Sequence, residues 1–183
     1  MGVLQPPPSP LPLPLLQGEA GWGSLTPTGP AMTTLAYRAA TEADLPFIVT
    51  LLADDAVADT PDRGADPLAA PYRDALAAIT ADPHQDLFIA EAEAKRVGTF
   101  QLSYLPGLAR LGAWRGIIEA VHVIPEARGS GIGTQMIGFA VQRCRERGCT
   151  MVQLTSNKAR TDAHRFYERL GFVRSHEGFK LYL

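Results

Sequence analysis

Apolar and polar positions along this chain change period several times, and each change predicts an element. Alternation in "TLAYRAA", residues 34–40, reads as a first strand. Thr41 then stands as an N-cap before "TEADLPFIVTLLADDAV", whose apolar residues fall at helical spacing. A turn-rich stretch, "DTPDRGADP", leads into "LAAPYRDALAAITAD", a second helix that stops before Pro83. "DLFIAEA" and "RVGTFQLSYL", separated by "EAK", read as an antiparallel hairpin. After the loop "PGLARLGAW", residues 115–124 are β-branched and apolar on both faces, as in a central strand ended by Pro125. Ile132, Met136, Ile137, Ala140, Val141 and Cys144 then share one helical stripe opposite Arg143, Arg145 and Glu146, with Gly148 placed to close the helix. A strand "TMVQLTS", a helix over 160–171 that starts near Thr161 and closes at Gly171, and a terminal hairpin around His176 to Gly178 complete the reading. The order β-α-α-β-β-β-α-β-α-β-β predicts an α/β (α+β) fold, a mixed central sheet flanked by helices and parallel in part around the glycine-rich turn.

Composition narrows the picture. A chain of 183 residues suffices for one domain with a continuous core, and 46% hydrophobic with 20% charged residues is an ordinary soluble balance. The net charge of -2 gives no global attraction for nucleic acid or an anionic membrane, so any anion must be held locally. Residues 1–32 differ, with eight prolines, five glycines and one charge, and read as a disordered tail ahead of a domain over 33–183. Prolines interrupt its apolar part, and no Lys or Arg precedes Arg38, so it lacks the form of a signal peptide. No stretch has membrane-spanning length. Cys144 and Cys149 lack the spacing of a zinc or redox motif and read as buried thiols, which suits a cytoplasmic protein. The four histidines lack metal-ligand spacing, so no obligatory metal is expected.

The chemistry concentrates in "EARGSGIGTQMI", where Gly129, Gly131 and Gly133 alternate directly before a helix. Unpaired N–H groups and the positive dipole end of a helix N-terminus hold phosphate without side-chain charge, and bare glycines clear the approach, with Arg128 as a local cation. A Walker loop is excluded because Thr134 and Gln135 follow the last glycine. A dinucleotide fingerprint is excluded by the G-x-G-x-G spacing and by the absence of an acidic residue in "MVQLTS".

The run Arg128-Gly129-Ser130-Gly131-Ile132-Gly133, after a strand and opening a helix, resembles the pyrophosphate loop of the GNAT superfamily of acyl-CoA-dependent N-acetyltransferases. "LTSNKARTDAHRFYERLGF" is similar to the second signature of that superfamily. The resemblance covers residues 34–183 and implies acetyl-CoA as co-substrate. It implies that Val121, His122 and Val123 pair with the pantetheine arm where two strands splay, that Arg128 to Thr134 (through Gly129, Ser130, Gly131, Ile132 and Gly133) hold the diphosphate, and that Asn157 binds the arm. Tyr167 takes the position of a general acid that reprotonates the leaving sulfur; the alternative is a core tyrosine beside Ala163, Phe166 and Leu170. Glu119 takes the position of a general base, the alternative being a carboxylate that binds substrate or a neighbouring arginine.

Lys158, Arg160 and Arg165 either meet cofactor phosphates or are solvated helix charges, and His122 and His164 read as packing or surface residues. Asp54, Asp55, Asp59, Asp62 and Asp66 favour a cationic amine or form a plain acidic loop. Arg110, Arg115 and Trp114 are placed to hold an anionic group on the acceptor. "DAHRFY" and the later "SH" are similar to aminoalkylphosphonate N-acetyltransferases, which would suit a small molecule bearing both an amine and an anion. The activity implied is transfer of an acetyl group to a primary amine, with no nucleic-acid or membrane partner, and relatives make a homodimer an expectation. The rival is a CoA-binding regulatory module without chemistry.

Overall fold

A computed structural model of the chain describes residues 34–54 and 61–182. Five strands form one sheet in the order β1-β2-β3-β4-β5. They are β1 (Leu35–Ala39), β2 (Gln85–Ala92), β3 (Lys95–Pro106), β4 (Trp114–Val123) and β5 (Cys149–Leu154). The first four are antiparallel neighbours, and β5 runs parallel to β4. The helices are α1 (Leu45–Ala53), α2 (Ala70–Ala81), a short turn α3 (Ala109–Gly112), α4 (Ile132–Glu146) and α5 (Thr161–Arg169). The mixed sheet with flanking helices is the architecture read from the residue pattern. The proline-rich stretch 1–32 lies outside the described residues.

Two apolar layers sandwich the sheet. On one face Phe88, Ala90, Phe100, Leu102, Tyr104 and Ile118 pack against the α4 stripe, and every residue assigned to that stripe from its period is buried. On the other face Ile89 meets Leu45 and Ile48 of α1 and Leu76 of α2. The entry to α1 is fixed by a buried carboxylate: Asp44 accepts two hydrogen bonds from the Arg38 guanidinium at 2.7 and 2.8 Å, and further bonds from the Thr41 amide and hydroxyl, both at 2.9 Å. These bonds, the Arg38 pair foremost, hold its carboxyl well below the usual carboxylate range against the opposing effect of burial. Thr41 thus caps this end as its sequence position suggests, although the first turn, Glu42–Asp44, is a 3-10 turn.

The terminal hairpin is a correction. Residues 172–182 contain no strand, and the sheet ends at β5. Alternation in "FVRSHEGFKLYL" gives the segment the capacity to pair, but a two-stranded ribbon is marginal in water unless a sheet or helix takes up its apolar face. Here Val173, Phe179, Leu181 and Tyr182 remain exposed.

Candidate functional site

The site is built from a strand that changes character halfway. From Trp114 to Ile118, β4 pairs with β3 on one side and β5 on the other. The pairing with β5 stops at Ile118, opposite Leu154, while the pairing with β3 continues to Val123. Residues 119–123 therefore leave one backbone edge without a strand partner, and the splay implied by the resemblance is present.

A bulge accompanies the change. The register with β3 shifts between Thr99 and Gln101, and Ala120 takes a left-handed φ of 49°. One extra residue reverses the side-chain alternation. Before it, Gly116 and Ile118 face α4; after it, Val121 and Val123 do. Glu119, opposite Gln101, is left exposed on the α1 and α2 side. Nothing in the letters marks this bulge, because alanine rarely adopts that conformation and no glycine announces it.

β4 runs through a short turn, Pro125–Ala127, into the glycine loop. Gly129 and Gly131 take φ of 80° and 86°, which side chains with a Cβ rarely tolerate, and a Cβ at either position would meet open space. The first helical bond of α4 runs from the Gln135 amide to the Gly131 carbonyl, so the amides of Ile132, Gly133 and Thr134 have no acceptor within the helix. Gly133 differs from the other two: a Cβ there would sit 3.4 Å from the Phe166 ring, so its bareness lets α5 approach the start of α4. Ser130 secures the loop by donating to the Ala127 carbonyl at 2.6 Å.

Arg128 is turned back onto the fold. Its Nε donates to the Val123 carbonyl at 3.1 Å and a terminal nitrogen pairs with Asp54 at 3.2 Å, tying the loop to the end of α1. This contact spans 74 positions and could not be read from local spacing.

Tyr167 is half-buried, its ring 5.1 Å from Phe166 and 5.9 Å from Phe172. Burial raises its pKa above the phenolic value, only partly offset by the charge of Arg160, so the hydroxyl stays protonated and able to donate. Asn157 makes a turn, its side-chain oxygen accepting from the Ala159 amide at 2.9 Å and its carbonyl meeting His164 Nε2 at 2.9 Å. Asn157 thus makes the turn its position suggests, exposed in the loop after β5, and its carbonyl ties down the His164 ring.

Other candidates are committed elsewhere. Lys158 pairs with Glu177 at 2.6 Å and Arg165 with Asp162. Asp62 accepts from Tyr72, and Asp66 from the Leu68 amide; Asp55 and Asp59 lie outside the described residues. Trp114 and Arg115 sit at the closed end of β4, on the order of 15 Å along the strand from Glu119, and Arg110 lies beyond that end in α3. They lie at the closed end of the strand rather than along its opened half. A cleft of ≈ 500 Å³ lined by Ala40, Glu42, Arg73, Leu76 and Thr80 contains none of the site residues. Among the described residues no three His, Cys, Asp or Glu side chains gather as metal ligands would, and no helix is long and apolar enough to cross a membrane.

A strand with an unpaired edge, running into a left-handed glycine turn that opens a helix, suits an extended ligand ending in phosphate. The family model described as Acetyltransferase (GNAT) family matches residues 48–172. The chain belongs to the GNAT acetyltransferase family. As a GNAT protein it is 35% identical over 108 residues to aminoalkylphosphonate N-acetyltransferase of Salmonella typhimurium, covering 59% of this chain and 70% of that one. It is 36% identical over 91 residues to glucosamine 6-phosphate N-acetyltransferase of Trypanosoma brucei brucei, covering 50% of this chain and 59% of the relative. Among solved structures, that of a transcriptional regulator from Bacillus halodurans C-125 aligns with a TM-score of 0.77 and 42% identity, over 82% of this GNAT chain and all of that one.

Proposed function

We propose that this protein transfers an acetyl group from acetyl-CoA directly to a primary amine of a small molecule, within a ternary complex. The observation that carries the reading is the opened half of β4, which leads through a short turn and the glycine loop into the start of α4, where Phe166, the neighbour of Tyr167, lies against Gly133. Acetyl-CoA, when bound, supplies an activated thioester carbonyl. The backbone of Val121, His122 and Val123 offers hydrogen bonds to the extended arm, and the loop from Arg128 to Thr134 offers amides and open space to its diphosphate. The side-chain nitrogen of Asn157 is available to the arm from the β5 side.

The acceptor needs a neutral nitrogen. An alkylammonium of pKa about 10.4 requires about 4 kcal/mol to lose its proton at pH 7.4. Glu119, exposed on the α1 and α2 side of the gap, takes that proton directly or through water. As the carbon–nitrogen bond forms and the carbon–sulfur bond breaks, Tyr167 gives its proton to the departing sulfur. The second proton lost by nitrogen as the amide forms restores the phenol. No acyl-enzyme is required: Cys144 is buried with its thiol pushed up to about 12, and Cys149 beside it is also raised by burial, so neither is a ready nucleophile at neutral pH. Two free thiols in this chain accord with a cytoplasmic setting.

Support for a small acceptor comes from the two relatives named for an aminoalkylphosphonate and an amino-sugar phosphate. A second reading, a CoA-binding regulatory module, is favoured by the name of the Bacillus halodurans protein. A panel of primary amines, assayed for thiol release from acetyl-CoA, separates them. Turnover with at least one amine, lowered about 10²–10⁴-fold in kcat by Tyr167→Phe with CoA affinity unchanged, is the expected result. CoA binding with no thiol release for any amine would favour the module.

A further inference from the structure

Beside Glu119, on the α1 and α2 side of the sheet, neighbouring strands bring a line of polar side chains together. Gln101 of β3 is the cross-strand partner of Glu119, so the two side chains share a face with Cβ atoms about 4.5–5.5 Å apart. Gln101 Nε2 donates to Gln85 Oε1 of β2 at 2.9 Å, and Gln85 Nε2 donates to Asp82 Oδ2 at 3.1 Å. The other oxygen of Asp82 accepts from the His84 amide at 2.8 Å. Of these residues the proposed reaction uses Glu119 alone.

The direction of this hydrogen-bonded chain is dictated from its far end. A carboxylate only accepts, so Gln85 must turn its NH2 group to Asp82 and its oxygen to Gln101. Gln101 must then turn its own NH2 group to Gln85. The hydrogen bonds from His84 and Gln85 hold the Asp82 carboxyl below the usual carboxylate range, which keeps it an acceptor at neutral pH. The oxygen of Gln101 is thereby left over. Among the described residues no donor meets Gln101 Oε1, and neither a hydrogen bond nor an ion pair holds Glu119. Gln101 is half-buried and Glu119 exposed. A carbonyl oxygen and a carboxylate side by side, with no donor between them, form a pair of acceptors that suits an ammonium, which brings N–H donors together with positive charge.

We propose that Gln101 is a second acceptor-binding residue, whose Oε1 takes a hydrogen bond from the ammonium of the acceptor while Glu119 takes another. This rests on the acetyl-transfer reading and deepens it. Gln85 and Asp82 are positioning residues: they touch no substrate and act only by fixing which end of the Gln101 amide faces the amine. Once Glu119 has removed one proton, an N–H retained on Gln101 sets the direction of the nitrogen lone pair, the orientation that attack on a thioester carbon requires. The pair selects an ammonium that bears N–H groups and rejects a quaternary one, which offers charge but nothing to donate.

Nuclear magnetic resonance of the full chain, with 13C in its glutamine and glutamate side chains, tests this at pH 7 with n-butylammonium chloride as the probe. The Cδ resonances of Gln101 and Glu119 should both move, and tetramethylammonium chloride should move neither. Gln101→Leu should raise the Kd read from Glu119 Cδ about tenfold or more. Asp82→Asn keeps an oxygen for the His84 amide but can offer Gln85 an NH2 group, which lets the chain of amides reverse. It should raise that Kd roughly threefold, and combining it with Gln101→Leu should weaken binding no further, a coupling that a merely structural loss would not produce. Movement of Glu119 Cδ with Gln101 Cδ unchanged would overturn the proposal. Equal responses to the two cations, or additive losses in the double variant, would overturn it as well, as would no response of either carbon at 100 mM probe. Thiol release in the amine panel is a separate measurement, so acetyl transfer can stand where this proposal falls.

Discussion

The two halves of β4 are made from similar letters and do opposite things. Between Trp114 and Ile118 the strand is bonded on both edges, and Gly116 lies so close to α4 that an added Cβ would stand 2.3 Å from Cys144 Sγ. Between Glu119 and Val123 the same strand keeps β3, loses β5 and rotates its side chains by one position at Ala120. The closed half is spent on cohesion, and the open half keeps one backbone edge without a strand partner. The opening arises by withdrawing one neighbour from a strand that is otherwise paired on both edges.

The sharpest way to break this comparison is to damage one half and measure the other. Gly116→Val places a branched side chain where the α4 sulfur already sits. Overpacking of this kind should destabilise the fold by about 3 kcal/mol, lowering the melting temperature by roughly 6–12 °C. CoA affinity of the folded fraction should change less than twofold. In the open half, Gly131→Val forces a β-branched residue to a φ of 86° over otherwise empty space. Calorimetric titration should show CoA bound at least tenfold more weakly, with a smaller loss of melting temperature than Gly116→Val causes. Equal CoA affinity in this variant would remove the loop from the site. The mildest probe is Asp54→Asn, which releases Arg128 from an exposed ion pair. Its effect on stability should stay within about 1 kcal/mol, and the freed guanidinium should tighten CoA binding by a few-fold at low salt.

What could be read in advance follows the range over which each feature is determined. The α4 stripe was legible residue by residue because a 3.6-residue period reports a face directly, and the glycine loop because its strand and helix contexts are local. The division of labour among its glycines was not, since Gly133 answers to Phe166, which lies 33 positions away. The bulge at Ala120 left no mark in composition. The partner of Arg128 came from the first helix, and charges on Lys158 and Arg165 looked available only because their partners are invisible in a linear reading. The terminal hairpin shows the complementary error: alternation records which side chains would share a face and says nothing about whether a neighbouring strand is there to receive them.

The extra residue at Ala120 also divides the chain into stretches of unequal tolerance to length change. Removing Ala120 itself would restore plain alternation and keep Val121 and Val123 toward α4, whereas one amino acid added between Val121 and Val123 would turn one of them to the opposite face, so the pleat there tolerates loss but not gain. The exposed turn after β3, by contrast, already carries Leu108 and Leu111 into water and bonds nothing in the gap, so insertions at that place should pass with little effect on either layer.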